Sequence, residues 1–95
     1  MSIVARFSPM NLTREKYDEV VRRLEQAGQW PNPHGLELHV LLGSEGDLRV
    51  SEIWDSQESL QAYMGKVFPI MDEVGIKLDG EPEILEVHNI AKRQS

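Results

Sequence analysis

The chain has 95 residues and a formal charge of −6, with 10 basic side chains against 16 acidic ones. That balance repels a phosphate backbone, so no nucleic acid partner is expected. The absence of cysteine excludes a disulfide framework, a thiol nucleophile, an iron–sulfur cluster and a cysteine zinc site. No apolar run approaches the ~18 residues of a membrane span, and residues 1–9 lack the basic start and apolar core of a signal peptide. A single domain over residues 1–95, cytoplasmic and away from membranes, is the expectation.

In chain order, Ser2–Phe7 is short and mostly apolar, closed by Ser8-Pro9, and predicts a buried strand with Arg6 as its one charge. Thr13 is placed to cap a helix, with Glu15 in the first turn to complement the helix dipole. Tyr17, Val20, Val21, Leu24 and Ala27 then follow the spacing of an amphipathic helix, and Gly28 is a natural stop. The stretch Gln29–Gly35 (QWPNPHG) is a loop. Its Trp30 either caps a core edge or lies as a lid over a pocket.

Leu36–Leu42 and Asp47–Trp54 predict two strands of a hairpin around Gly43–Gly46. The register decides which side chains share a face. An odd loop sets Leu36, Leu38, Val40 and Leu42 beside Leu48, Val50, Glu52 and Trp54, and sends His39 to the opposite face. An even loop brings His39 to Glu52 and Trp54. The odd register gives the more apolar core and is preferred.

Asp55 or Ser56 should cap a second helix whose stripe is Leu60, Tyr63, Met64, Val67, Phe68 and Met71. Pro69 should kink or restart that helix, and Gly75 should end it. A turn through Asp79–Pro82 leads to a last strand, Glu83–Ile90, and then to a tail whose Lys92-Arg93 reads as a solvated end. The order β-α-β-β-α-β is the split pattern of an α+β, ferredoxin-like fold, a four-stranded antiparallel sheet with two helices on one face. The other face keeps apolar residues in either register, so a homodimer packed sheet to sheet is expected.

No nucleotide-binding, zinc-hydrolase, nucleophile-elbow or calcium-loop motif is present, and no cofactor or metal is expected. The candidate site is a set of ionisable and aromatic residues. Glu52 falls on the helix-facing side, where an unpaired carboxylate is costly. It is either half of a structural ion pair with Arg6 or a proton acceptor in a pocket between sheet and helices. As a catalytic set, Glu52 would take the proton and Arg6 or His39 would stabilise the resulting oxyanion. Trp54 and Tyr63 would stack on a small aromatic ligand, with His88 also at the ligand site. Met10, Met64 and Met71 fill core or line an adaptable cavity. An enclosed cavity of several hundred Å³ would favour the ligand-binding reading, and a filled interface a non-catalytic module.

The run IWDSQESLQAY, Ile53–Tyr63, resembles the strand-to-helix segment of dimeric α/β-barrel proteins. These include the antibiotic-biosynthesis monooxygenase group and its haem-degrading relatives. The resemblance implies a dimer whose two sheets form a central barrel, with a ligand cavity in each subunit between sheet and helices. It further implies oxidation of an aromatic or quinol-type metabolite without a cofactor, in a pocket to which Trp54, Tyr63 and Arg6 correspond by residue type. Haem degradation is not implied: residues 56–75 hold no histidine, and Ile3–Phe7 no asparagine.

Overall fold

The computed structural model describes residues 2–91; the Lys92-Arg93 pair lies outside them. Six elements alternate as expected: β1 (Ile3–Phe7), α1 (Arg14–Gln26), β2 (Leu36–Ser44), β3 (Asp47–Trp54), α2 (Gln57–Val74) and β4 (Glu83–Glu86). The strands form one antiparallel sheet in the order β2-β3-β1-β4, which puts β1 and β3 at the centre. The fold is α+β and ferredoxin-like.

Local chemistry sets the element ends. The Thr13 hydroxyl accepts from the Lys16 amide at the start of α1, and the Ser56 hydroxyl accepts from the Ser59 amide at the start of α2. Each satisfies an amide that the first turn leaves without a partner. Gly75 closes α2 at φ 91°, a left-handed conformation that favours glycine. Pro69 does not divide α2, which continues through it. Proline withdraws one amide from the ladder, and its ring bears on the carbonyl four residues earlier. Here that residue is Gly65, which has no side chain. The last strand stops at Glu86, four residues short of expectation. Beyond it the Val87 amide donates to the Ser2 carbonyl at 3.0 Å.

Alternation along the strands divides the sheet. Ile3, Ala5 and Phe7 of β1 and Leu48 and Trp54 of β3 are buried, and they pack with Val20 and Leu24 of α1 and Leu60, Tyr63 and Val67 of α2. A strap joins the two connections: the Met10 amide donates to the Lys77 carbonyl, and the Asn11 side chain bonds Gly75 and Lys77. It seats Leu12 and Ile76 in the same core. The outer face exposes Leu38, Val40, Leu42 and Leu85, at 38 to 50% of their surface.

The hairpin corrects the preferred register. Ser44 pairs with Asp47 and Gly43 with Leu48, so the loop is the even two-residue turn Glu45-Gly46. Leu38, Val40 and Leu42 therefore point outward, and His39 pairs with Glu52. A register shift between Leu36 and Leu38 lets Leu36 face Trp54, so it still packs on the core. Sequence patterning counted apolar residues. The decisive quantity is the partner that a buried carboxylate needs.

Candidate functional site

Glu52 lies mid-strand in β3 with its side chain 3% exposed. Both oxygens are engaged. The Trp54 Nε1–H donates to Oε1 at 3.1 Å, and His39 Nδ1 lies 2.6 Å from Oε2. Hydrogen bonds to a carboxylate are short and about twice as strong as neutral ones. His39 Nε2 is 2.8 Å from the Tyr17 hydroxyl. The Trp54 indole only donates, so Glu52 Oε1 accepts from it, while His39 presents Nδ1 to Glu52 and Nε2 to the Tyr17 hydroxyl. The result is one hydrogen-bonded chain, Tyr17, His39 and Glu52, built from α1, β2 and β3.

Aromatic rings brace it. The Tyr17 ring is stacked with His39 at 5.9 Å and 28°, and Trp30 meets His39 edge-on at 4.8 Å. Tyr63 of α2 leans on Trp54, centroids 5.0 Å apart. Tyr63 is only 7% exposed, and among the described residues no buried side-chain polar atom lacks a partner. Burial, then the Glu52 charge, then Tyr17 push the Tyr63 phenol well above its ordinary ionisation range. Burial, then Glu52, then Asp18 push Tyr17 the same way. Both remain neutral hydroxyls, because a second negative charge beside Glu52 is unfavourable.

The chain stands at the wall of a cavity of about 70 Å³ between sheet and helices. Its lining is nearly all carbon, from residues such as Phe7, Val50, Val67, Phe68 and Met71, with Tyr17, His39, Glu52 and Tyr63 as the polar side chains beside Trp30. The volume is below the several hundred Å³ of a drug-sized pocket and about half that of a ~150 Å³ cavity able to hold benzene. A ring enters only if side chains such as Met71 and Phe68 give way. Tyr17, Trp30 and His39 also line an outer groove beside Pro31 and Asn32, so these three form the partition between cavity and solvent.

The sequence-predicted site residues separate into two groups. Glu52, His39 and Tyr63 come together. Trp54 joins them but is wholly buried and beneath the site, so it positions Glu52 and offers no face to a ligand. Arg6 is corrected: Ala5 opposes Glu52, Arg6 opposes Ser51, and the Arg6 side chain is exposed on the outer face, 3.6 Å from Glu83. Strand alternation makes the two neighbours face opposite ways. His88 is exposed beyond the end of β4 and lines none of the cavity. Of the methionines, Met71 lines the cavity, Met64 packs on the core, and Met10 is 67% exposed. Sequence reasoning missed Tyr17 as a site residue. The signal was the polar tip on an otherwise aliphatic stripe of α1, since a buried tyrosine hydroxyl usually has a partner.

No family model matches the chain, and no curated protein matches it. Solved structures do. SnoaB, a cofactor-independent oxygenase from Streptomyces nogalater, is similar over 97% of this chain and 96% of its own, with 14% identity and a TM-score of 0.59. Rv0793 from Mycobacterium tuberculosis is similar over 98% and 97%, at 18% identity and a TM-score of 0.54. The heme-degrading protein Rv3592 from the same organism is similar over 97% and 100%, at 19% identity and a TM-score of 0.55. At these identities the likeness is one of fold: these proteins share the chain's α+β, ferredoxin-like architecture over nearly its whole length.

Proposed function

We propose that the protein is a homodimeric, small-molecule-binding α/β-barrel protein that acts on an aromatic or quinol-type metabolite without a cofactor. The observation that carries this reading is a buried carboxylate, held by Trp54 and His39 at the edge of a carbon-lined cavity. Glu52, acting through His39, is the proton acceptor. Removing a proton from a phenol-like group leaves an electron-rich ring able to react directly with O₂. When a ring CH₂ becomes a carbonyl, one oxygen atom stays in the product and the other leaves with the two hydrogens as water. The CH₂ carbon supplies all four electrons that reduce O₂, so no separate reductant is needed. The shared fold with SnoaB, itself described as a cofactor-independent oxygenase, supports the reading.

A second reading is a non-catalytic dimeric module. It is favoured by the small size of the cavity and by the pairing of both Glu52 oxygens within the protein. One experiment separates the two. Phenolic metabolites are screened first for a rise in melting temperature, because a ligand that binds only the native state stabilises it. Binders are then tested for oxygen uptake with wild type and Glu52→Gln. Uptake lost in the variant supports the oxygenase. Binding without uptake favours the module, and uptake unchanged in Glu52→Gln removes Glu52 as the base.

The dimer rests on the outer sheet face. Leu38, Val40, Leu42 and Leu85 form an apolar surface that a second copy would cover, and large exposed apolar patches mark interfaces. A sedimentation experiment showing only monomer at micromolar concentration would refute it. Among the described residues no helix is long and apolar enough to cross a membrane, in keeping with a cytoplasmic role.

A further inference from the structure

We infer that the inner cavity and the outer groove are two chambers of one binding site, that Trp30 is the movable partition between them, and that the site takes an aromatic ring carrying a short amine arm. This rests on the reading of the cavity as a ligand site, and adds how a ligand enters and what its outer part is. The cavity of about 70 Å³ is too small for a ring as it stands, while the groove offers about 430 Å³. Tyr17, Trp30 and His39 line both, and the three are held differently. Tyr17 and His39 meet at 2.8 Å, and His39 and Glu52 at 2.6 Å, through hydrogen bonds. Trp30 meets His39 through a ring edge, centroids 4.8 Å apart at 88°, a weaker tie than a hydrogen bond to a carboxylate. Its backbone is fixed on either side. The Gln29 amide donates to the Leu24 carbonyl, the Leu36 amide to Pro33 and the Asp55 amide to Gly35. Pro31 and Pro33 lock their own φ angles, and Pro33 is buried. The loop therefore stays in place while the indole turns about its side-chain bonds into the groove, beside the exposed Pro31 and Asn32. That turn joins the chambers.

Charge selects the arm. Glu37 lines the groove, and no lysine or arginine does. The register places it there: Leu36 pairs with Trp54 and Leu38 with Ile53, which leaves Glu37 as the extra residue of a bulge on the edge strand β2. Bulges re-aim side chains. The Glu37 Oε1 accepts from the Ser2 hydroxyl at 2.7 Å. His39, also on the groove wall, is already engaged by Glu52 and Tyr17. A carboxylate or phosphate arm would face Glu37 with no cation to offset it, on a chain whose formal charge is −6. An ammonium meets the Glu37 carboxylate, and the faces of Trp30 and Tyr17 attract it as well.

The test uses the full chain and three probes: toluene, a ring alone; phenethylamine, a ring with an amine arm; and hydrocinnamate, a ring with an acidic arm. Fluorotryptophan labelling gives two resonances, for Trp30 and Trp54, and Trp30→Phe identifies the first. Methyl-labelled methionine adds Met71 inside the cavity and the exposed Met10 as a control. Phenethylamine should shift the Trp30 and Met71 signals and leave Met10 in place. A dissolved nitroxide should broaden the Trp30 signal more in the bound protein than in the free one. Wild type should bind phenethylamine about fivefold more tightly than hydrocinnamate, the worth of one exposed charge pair. Glu37→Gln, at an exposed position, should remove that preference. If Met71 responds while the Trp30 signal and its exposure to nitroxide stay unchanged, the partition is overturned and the ligand cavity stands. Equal affinity for amine and acid in wild type, or the same preference in Glu37→Gln, overturns the amine arm. If no probe moves Met71 or Trp30, the cavity reading itself falls and the two chambers with it.

Discussion

Alkaline pH should destabilise this protein in a way set largely by one phenol. The chain has two tyrosines, Tyr17 and Tyr63, so tyrosinate absorbance reports on the site alone. In the unfolded chain each ionises near its ordinary value of about 10. In the folded chain burial, then Glu52, then Tyr17 raise the Tyr63 value far above that. Between the two values the unfolded state has lost a proton that the folded state keeps. Stability is therefore fully present below about pH 10 and falls as pH rises, by about 1.4 kcal/mol per pH unit for one such group. Tyr17 is shifted in the same direction, but it is only half-buried, and solvent screening reduces its share. Against a typical folding free energy of about 5–15 kcal/mol, the Tyr63 slope alone is measurable. Urea unfolding of wild type and Tyr63→Phe at about pH 9, 10 and 11 tests it. The variant should lose most of the slope. Equal slopes in the two proteins, or a native absorbance titration in which both tyrosines ionise near their ordinary value, would refute the reasoning.

Other substitutions test other parts of the structure by urea unfolding. Glu52→Leu and His39→Leu should each cost about 3–5 kcal/mol, because each leaves a buried polar partner without its mate. The double variant should recover at least about 2 kcal/mol of their sum, and strict additivity would show that the pair is not coupled. Gly35→Ala should cost well over 2 kcal/mol: at φ +87° its methyl would lie 2.5 Å from Ser59 and 2.6 Å from Asp55, adding collision to left-handed strain of about 1–2 kcal/mol. Gly28→Ala, at φ +74° with open space around it, should cost only that strain. Arg6→Ala should change monomer stability by less than about 0.5 kcal/mol, since its pair with Glu83 is exposed on both sides.

The elements and their order were legible because their signals are local. Thr13 and Ser56 are capping residues, Gly28 and Gly75 are stops, and the stripes on both helices repeat at helical spacing. The site was only half legible because its geometry is not local. Glu52 announced itself as a carboxylate in an apolar strand. Its partner depended on whether the hairpin loop held an odd or even number of residues, and Leu38, Val40 and Leu42 argued for the wrong answer. Those leucines and the valine are apolar because the outer face is apolar too, so apolar content could not distinguish the faces. Arg6 was assigned to Glu52 by strand adjacency, which is correct, but its one-residue offset from Ala5 turns it away. Tyr17 lies 22 residues from His39, and no local pattern ties a helix stripe to a particular strand residue.

The corrected register also bears on why a carboxylate occupies the centre of so small a core. A buried ion pair adds little to stability compared with well-packed apolar residues of similar volume, and a chain of 95 residues has limited surface to bury. Leucine at both positions of the pair would serve the core about as well. Trp54 and Tyr17 would then lack their partners. The arrangement found is more demanding. Four side chains from three elements are joined in one hydrogen-bonded chain, and Tyr17, His39 and Glu52 line the cavity together with Tyr63. A structural pair needs Glu52 and His39 to meet. It does not need His39 to be met on its second nitrogen by Tyr17, nor the chain to stand at a cavity wall. Those two features together set a polar chain at the edge of a carbon-lined cavity, a placement that an ion pair kept for stability alone does not require.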